Sequence, residues 1–90
     1  MRKPVLLIED IPPSKGGVVF IVASALEDVS IVSELFNDID EEISTTPIKI
    51  ISIEVYREKV QSVPKAYNAY LALEVPAGII LKVNQKLYSH

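Results

Sequence analysis

Glycines and a lysine in the sequence Ser14-Lys15-Gly16-Gly17 form the first group of residues that could carry chemistry. Glycine backbones and a lysine can surround a phosphate. A phosphate-binding loop, however, follows a strand and opens a helix with Gly-Lys-Ser or Gly-Lys-Thr, whereas these glycines precede an apolar run. We therefore interpret residues 14–17 as a flexible connection.

A second group is acidic and comprises Asp38, Asp40, Glu41 and Glu42. Clustered carboxylates can bind hard cations, but such cations need about six converging oxygens, and the sequence has no loop with EF-hand spacing. A solvated acidic surface, partly neutralised by nearby cations, is the better interpretation. We predict no metal site.

Catalytic groups are harder to assemble from this chain. His90, the single histidine, is the last residue, and there is no cysteine to act as a nucleophile. A carboxylate pair, Glu54 opposite Glu74 on an exposed sheet face, is the one catalytic arrangement we retain as an alternative, although charges on an open strand face usually serve solubility. The sequence therefore predicts a non-enzymatic protein without catalytic residues or cofactor.

Tyrosines and basic residues concentrate in the second half of the chain. Residues 46–90 hold all four tyrosines and six Lys/Arg against three Asp/Glu, whereas residues 1–45 hold nine Asp/Glu against three Lys/Arg. Rings that stack on bases and cations that contact phosphates are the groups of a single-stranded nucleic-acid platform. Because the net charge is −3 and the aromatic, glycine-flanked signature of RNA-recognition sheets is missing, nucleic-acid binding is the alternative function and not the first.

The first half of the chain contains predicted elements that would support the tyrosines and basic residues. Residues 4–8 and 18–23 are apolar runs that predict strands, the second of them central in its sheet. Ser24 and Glu27 have the spacing of a capping box, and apolar residues then recur every three or four positions as far as Ile43. We therefore predict one long amphipathic helix that ends before Pro47.

The second half predicts strands. Residues 48–57 and 66–75 are β-branched or alternate in polarity, with a polar connection between them. The sequence Val75-Pro76-Ala77-Gly78 has the preferences of a type I turn, so residues 79–84 are expected to return as an antiparallel strand. The alternative for this last segment is a helix that begins at Pro76.

These elements predict a single α+β domain over residues 1–90. The expected order is β-β-α-β-β-β, a two-layer sandwich whose mostly antiparallel sheet has four to five strands with the long helix on one face. The other sheet face would then be left with a mixture of apolar, aromatic and polar side chains, which is typical of an association surface. The partner-binding residues that we predict on it are Tyr56, Asn68, Tyr70, Ile80, Lys82 and Asn84.

Length and composition suggest how such a face would be covered. A 90-residue chain without cysteine has no disulfide to add stability, so two copies that stack their open faces would supply the missing burial. We therefore predict a homodimer; the alternative is that the N-terminal strand and loop, or the C-terminal segment, fold over the face. The longest apolar run, residues 18–23, is too short to span a bilayer, and together with the absence of cysteine this predicts a cytoplasmic protein that does not insert into membranes.

The function predicted from the sequence is accordingly a non-enzymatic interaction or regulatory module. It would self-associate or bind another protein through the exposed tyrosine-bearing sheet face. A nucleic-acid-binding accessory protein that uses the tyrosines and lysines of the C-terminal half is the alternative.

Overall fold

The computed structural model describes residues 3–14, 16–39, 42–43 and 46–89. Within these residues the chain forms ten strands and no helix, so the predicted α+β sandwich is wrong and the fold is all-β. In chain order the strands are β1 (Lys3–Asp10), β2 (Val18–Ala25), β3 (Val29–Ser30), β4 (Glu34–Ile39), β5 (Glu42–Ile43), β6 (Ile48–Val55), β7 (Glu58–Val60), β8 (Ser62–Val63), β9 (Asn68–Glu74) and β10 (Lys86–Ser89).

Six of these strands form a closed antiparallel sheet. The order of the main sheet is β5-β4-β10-β1-β2-β9-β6-β7, and β4 pairs with β6 as well as with β10. The pairing of Leu35 with Ile48 and of Phe36 with Tyr88 shows how β4 connects the two ends of the sheet. Because this pairing closes the ring, most of the backbone donors and acceptors that an open sheet leaves at its edges have partners. Strands β3 and β8 form a separate pair.

The apolar core lies inside the closed sheet. Alternate residues of β2 (Ile21, Ala23 and Ala25) point inward, as residues 69, 71 and 73 do on β9. Burying each large aliphatic side chain contributes about 1.5–3 kcal/mol to folding. The sheet therefore covers its own interior, and no helix is needed to do so. The largest fully buried side chains include Leu6, Ile8, Ile21, Leu35, Ile48, Ile53, Leu71, Leu73 and Leu87.

The predicted helix over residues 24–43 is replaced by strands and turns. The capping-box residues bond elsewhere: Ser24 contacts side chains on the two neighbouring strands, and Glu27 forms ion pairs with Lys3 and Lys65. Val32, which the periodic pattern assigns to the buried stripe, is 84% exposed in the turn before β4. The segment is rich in β-branched, serine and aspartate residues, whose helix propensity is weak, so strand pairing with distant segments overrides its apolar period.

A β-bulge changes the faces predicted for β6. The strand is regular as far as Ile50, and the pairing with β9 then shifts between Ile50 and Ser52. As a result Ile50 and Ile53 both face the core, although strict alternation places them on opposite faces. Ile51 is the residue left over, and it is 47% exposed.

The segment between β9 and β10 is neither the predicted strand nor the alternative helix. Residues 75–85 form turns and irregular backbone, and β10 begins only at Lys86. Asn84 has a positive φ of 71°, and its backbone N–H donates to the carbonyl oxygen of Ile8 at 2.7 Å. Ile79 and Leu81 pack partly against the core. The segment thus covers one end of the closed sheet without joining it as a strand.

Candidate functional site

The outer face of β2, β9 and β6 holds the largest concentration of exposed aromatic side chains. The register aligns Val22 with Tyr70, and Tyr70 in turn with Glu54 on β6. Together with neighbouring residues they line a cavity of about 410 Å³ that opens to solvent. We call this cavity the aromatic cleft; its lining residues are Val22, Glu54, Tyr56, Arg57, Asn68, Ala69 and Tyr70.

Two aromatic pairs flank the aromatic cleft. Phe20 and Tyr70 are stacked, with ring centroids 5.6 Å apart and an interplanar angle of 21°. Tyr56 and Tyr67 meet edge to face, with centroids 6.4 Å apart and an angle of 77°. Such pairs fix the orientation of each ring, so Tyr56 and Tyr70, the two rings that line the cleft, are each held by a second aromatic side chain outside it. Val22 contributes an apolar side chain to the lining, and Ala69, whose side chain faces the core, also borders the cleft.

Tyr56 and Arg57 reach the cleft from a strained turn. They form the two-residue connection between β6 and β7, in which Val55 pairs with Glu58. Their φ angles are 51° and 66°, the left-handed values of a type I′ hairpin turn, where asparagine and glycine are preferred. Tyr56 is 87% exposed. A left-handed backbone at each of these residues costs about 1–2 kcal/mol, and the chain nevertheless places a tyrosine and an arginine there.

A third left-handed residue lies next to the same site. Ala66 has φ 76° and directly precedes Tyr67; its N–H donates to the carbonyl oxygen of Ala25 at 2.8 Å. Of the four non-glycine residues with positive φ in the described part of the chain, only Asn84 lies away from the aromatic cleft. Backbone strain of this kind tends to collect at binding sites.

A polar cluster across three adjacent strands orients Asn68. The Ser24 hydroxyl on β2 is hydrogen-bonded to the carboxylate of Glu9 on β1, and it lies 3.0 Å from the side-chain amide oxygen of Asn68 on β9. Asn68 remains exposed and lines the aromatic cleft. The amide is therefore held in place at the edge of the cleft and has hydrogen-bonding capacity left for a ligand.

Charges of both signs surround the aromatic cleft. Glu54 and Arg57 line it, and neither forms an ion pair with another residue that the structure describes. Further along the same outer face, Lys49 is aligned with Glu74 in the pairing of β6 with β9. The face is therefore mixed in charge and is not a basic surface.

The six predicted partner-binding residues do not form one surface. Tyr56, Asn68 and Tyr70 come together in the aromatic cleft. Ile80 and Lys82 line a different cavity, of about 300 Å³, between the end of β4 and the segment that follows β9. Asn84 lies in the adjacent turn, with its N–H bound to the backbone. Residues 80–84 lie apart from the other three because they do not form the strand that was expected beside β9.

The second cavity contains a buried polar atom without a partner. Asn37 is 2% exposed, and its Oδ1 accepts no hydrogen bond from any described residue. At the same cavity the Gln85 side chain links the two walls: its Nε2 donates to the backbone oxygen of Asp38 at 3.2 Å, and its Oε1 accepts from the N–H of Lys82 at 3.0 Å. A buried amide oxygen in a polar cavity is the usual position of an ordered water.

The other chemical groups considered in the sequence do not assemble in the described residues. Glu54 is aligned with Tyr70 and Glu74 with Lys49, so the two carboxylates lie four positions apart along β9, about 13 Å, and are not opposite each other. The described residues include no cluster of three or more His, Cys, Asp or Glu side chains that could hold a metal ion. Lys15, Asp40, Glu41 and His90 lie outside the described residues, as does the side chain of Glu42.

Sequence reasoning missed four of the seven lining residues, Val22, Glu54, Arg57 and Ala69, and also Phe20, which stacks on Tyr70 beside them. Phe20 and Val22 were assigned to a strand covered on both faces, whereas every second residue of β2 faces outward and is half-buried. Glu54 was considered as a catalyst or a solvated strand charge, and Arg57 as a basic residue that contacts nucleic acid or neutralises the acidic cluster. The available signal was the end of the β-branched run at Val55, but Tyr56 and Arg57 are not residue types that mark a hairpin turn.

The described part of the chain contains no helix with the length and apolar character to cross a bilayer. No protein-family model, curated protein or solved structure matches the chain. The function is therefore argued from the residues of the aromatic cleft.

Proposed function

We propose that this chain is a non-enzymatic binding module that recognises another protein through the aromatic cleft. The observation that carries the proposal is the strained turn: Tyr56 and Arg57 occupy two left-handed positions and project at the mouth of the cleft. Strain that persists at an exposed site is most simply explained by a role of its side chains. Tyrosine and arginine are the residue types most enriched in protein interfaces and in their energetic centres.

The chemistry of the lining favours binding over catalysis. The cleft supplies aromatic rings, one oriented amide and two opposite charges, which are the groups that hold a partner. The Ser24 hydroxyl contacts two acceptor oxygens, the carboxylate of Glu9 and the amide oxygen of Asn68, and its single proton is donated to one of them. This cluster links three strands, and we assign it a positioning role.

Nucleic-acid binding is the weaker alternative for the same face. Phosphate contacts dominate such binding and need a surface with an excess of Lys and Arg. Here Glu54 lies in the cleft beside Arg57, and Glu74 is aligned with Lys49 on the same face. These carboxylates would repel a phosphate backbone that follows the tyrosines.

A homodimer that stacks two copies of this face is the version of the proposal that needs no other protein. The closed sheet removes one argument for it, because the core is covered without a partner. The argument that remains for a homodimer is the exposed aromatic surface, which includes Tyr56 and Tyr67. We propose the cytoplasm as the compartment, since a cysteine-free chain is suited to reducing conditions.

The test compares Tyr70→Glu with Ile80→Glu. Tyr70 lies in the aromatic cleft, and Ile80 is an exposed apolar residue at the second cavity, so the second variant is a matched control for the added charge. Light scattering measures self-association at high micromolar concentration. Binding of other proteins is measured by retention on the immobilised chain, identification by mass spectrometry and rebinding of the purified protein.

The expected result is an association retained by the chain and by Ile80→Glu but weakened at least tenfold by Tyr70→Glu. If the two variants bind alike, or if neither self-association nor rebinding of any purified protein is detected, the proposal is wrong. Circular dichroism of both variants confirms that each retains the fold.

A further inference from the structure

We infer that the aromatic cleft binds an extended, proline-containing peptide segment that carries an acidic residue. The inference rests on the proposed function and specifies the chemistry of the partner. It uses three features of the cleft: its aromatic walls, its unused hydrogen-bonding groups and the charge at its mouth.

The walls suit a proline ring. The rings of Tyr56 and Tyr70 line the open cavity together with the apolar Val22 side chain, and Tyr67 and Phe20 hold these two rings in place from outside it. Proline-rich segments form a polyproline II helix before binding, so little conformational entropy is lost when they enter an aromatic-lined groove. A volume of about 410 Å³ is within the usual range for a ligand pocket.

The hydrogen-bonding groups suit an extended backbone. A polyproline II segment has no internal hydrogen bonds, so its carbonyl oxygens are free to accept. The hydroxyl groups of Tyr56 and Tyr70 form no hydrogen bond with any residue that the structure describes, and the Asn68 amide is oriented by Ser24. Each of the three side chains can donate to a peptide carbonyl without breaking a strand pairing.

The charges in the cleft favour a peptide that carries an acidic residue. Arg57 is exposed in its turn and has no ionic partner among the described residues, and its planar guanidinium group is suited to bidentate binding of a carboxylate. Glu54 also lines the cleft and repels a second acid there. The peptide is therefore expected to place its acid toward the β6–β7 turn and proline or a neutral residue beside Glu54.

The experiment titrates the isotope-labelled full chain with synthetic peptides and follows backbone amide shifts by NMR. The probe is a capped peptide of about ten residues, roughly 30 Å long as a polyproline II helix, with one aspartate among prolines. Two matched peptides replace all prolines with alanine, or the aspartate with lysine. The protein variants are Arg57→Glu and, as a control outside the cleft, Lys82→Glu.

The inference predicts saturable shifts around Tyr56, Asn68 and Tyr70 with the proline–aspartate peptide, and at least tenfold weaker binding of the alanine and lysine peptides. Arg57→Glu should reverse the charge preference and favour the lysine peptide, whereas Lys82→Glu should bind as the unmodified chain does. Because reversal is a gain of binding, it cannot arise from a misfolded variant.

Four outcomes overturn the inference. Equal binding of the alanine peptide removes the role of proline, and unchanged charge preference in Arg57→Glu removes the role of Arg57. Shifts of the same residues with a single-stranded oligothymidine but with no peptide show a nucleic-acid site. If no peptide binds while a protein association sensitive to Tyr70→Glu persists, this inference fails and the proposed function stands.

Discussion

Phe20 on β2 stacks on Tyr70 of β9 on the outer surface of the closed sheet, with ring centroids 5.6 Å apart. Val22, not Phe20, is the register partner of Tyr70, so the stack is a diagonal contact between adjacent strands. Diagonal neighbours are within reach of aromatic side chains on one face of a sheet. The stack therefore fixes one wall of the aromatic cleft and couples the two central strands that carry it.

The coupling between these rings is measurable by a double-mutant cycle. Phe20→Leu and Tyr70→Leu should each lower the free energy of unfolding, and the double variant should lower it by less than the sum. We expect a coupling free energy of about 0.5–1.5 kcal/mol, the usual value of an aromatic pair beyond its burial. Urea unfolding of the four proteins gives this value. A coupling near zero would show that the rings pack independently in solution.

Replacing Tyr56 and Arg57 together by Asn and Gly should stabilise the protein and abolish binding at the cleft. Asn-Gly is the preferred pair for a type I′ turn, and relief of two strained φ angles, less the lost contact between Tyr56 and Tyr67, should raise the free energy of unfolding by about 1–2 kcal/mol. Thermal and urea unfolding measure the change. The single variant Arg57→Gly serves as the control and should recover part of the gain. A loss of stability would mean that the contact between Tyr56 and Tyr67 outweighs the strain.

Asn37→Leu should leave the stability unchanged or raise it by about 1 kcal/mol. The side chains are similar in size, and the substitution removes a buried oxygen that has no described partner. Urea unfolding is the measurement, with Asn37→Ala as a control that adds a cavity and should destabilise. A clear loss of stability in the leucine variant would show that an ordered water in the second cavity satisfies the Asn37 oxygen.

Glu27→Gln should change stability by less than about 1 kcal/mol, and the difference should shrink at high salt. Glu27 lies 3.6 Å from the ammonium of Lys3 and 3.4 Å from that of Lys65, but both lysine side chains are more than 60% exposed. Exposed ion pairs contribute little and are screened. Unfolding at low and at molar sodium chloride tests this, with Glu58→Gln as a control because Glu58 has no described ion pair. A larger, salt-independent loss would mean that Glu27 does more than pair with the two lysines.

Local patterns in the sequence were sufficient for several strands and for three of the seven residues that line the aromatic cleft. Apolar runs predicted β1 and β2, and alternation predicted β9 with Asn68 and Tyr70 on one face and Leu71 and Leu73 on the other, as the structure has them. Alternation depends only on neighbouring residues, because successive side chains of a strand point to opposite faces. The absence of cysteine likewise required no structure.

Tertiary structure alone decided the other strands and the other residues of the candidate site. The segment predicted as a helix became β4 because Leu35 and Phe36 pair with strands that are distant in sequence. The apolar period of the segment carries no information about this pairing. The bulge at Ile51 set the faces of β6, because one extra residue in a strand inverts every later side chain. The same non-local pairing places Val22, Tyr56 and Tyr70 in one cleft, whereas Ile80 and Lys82 line a different cavity.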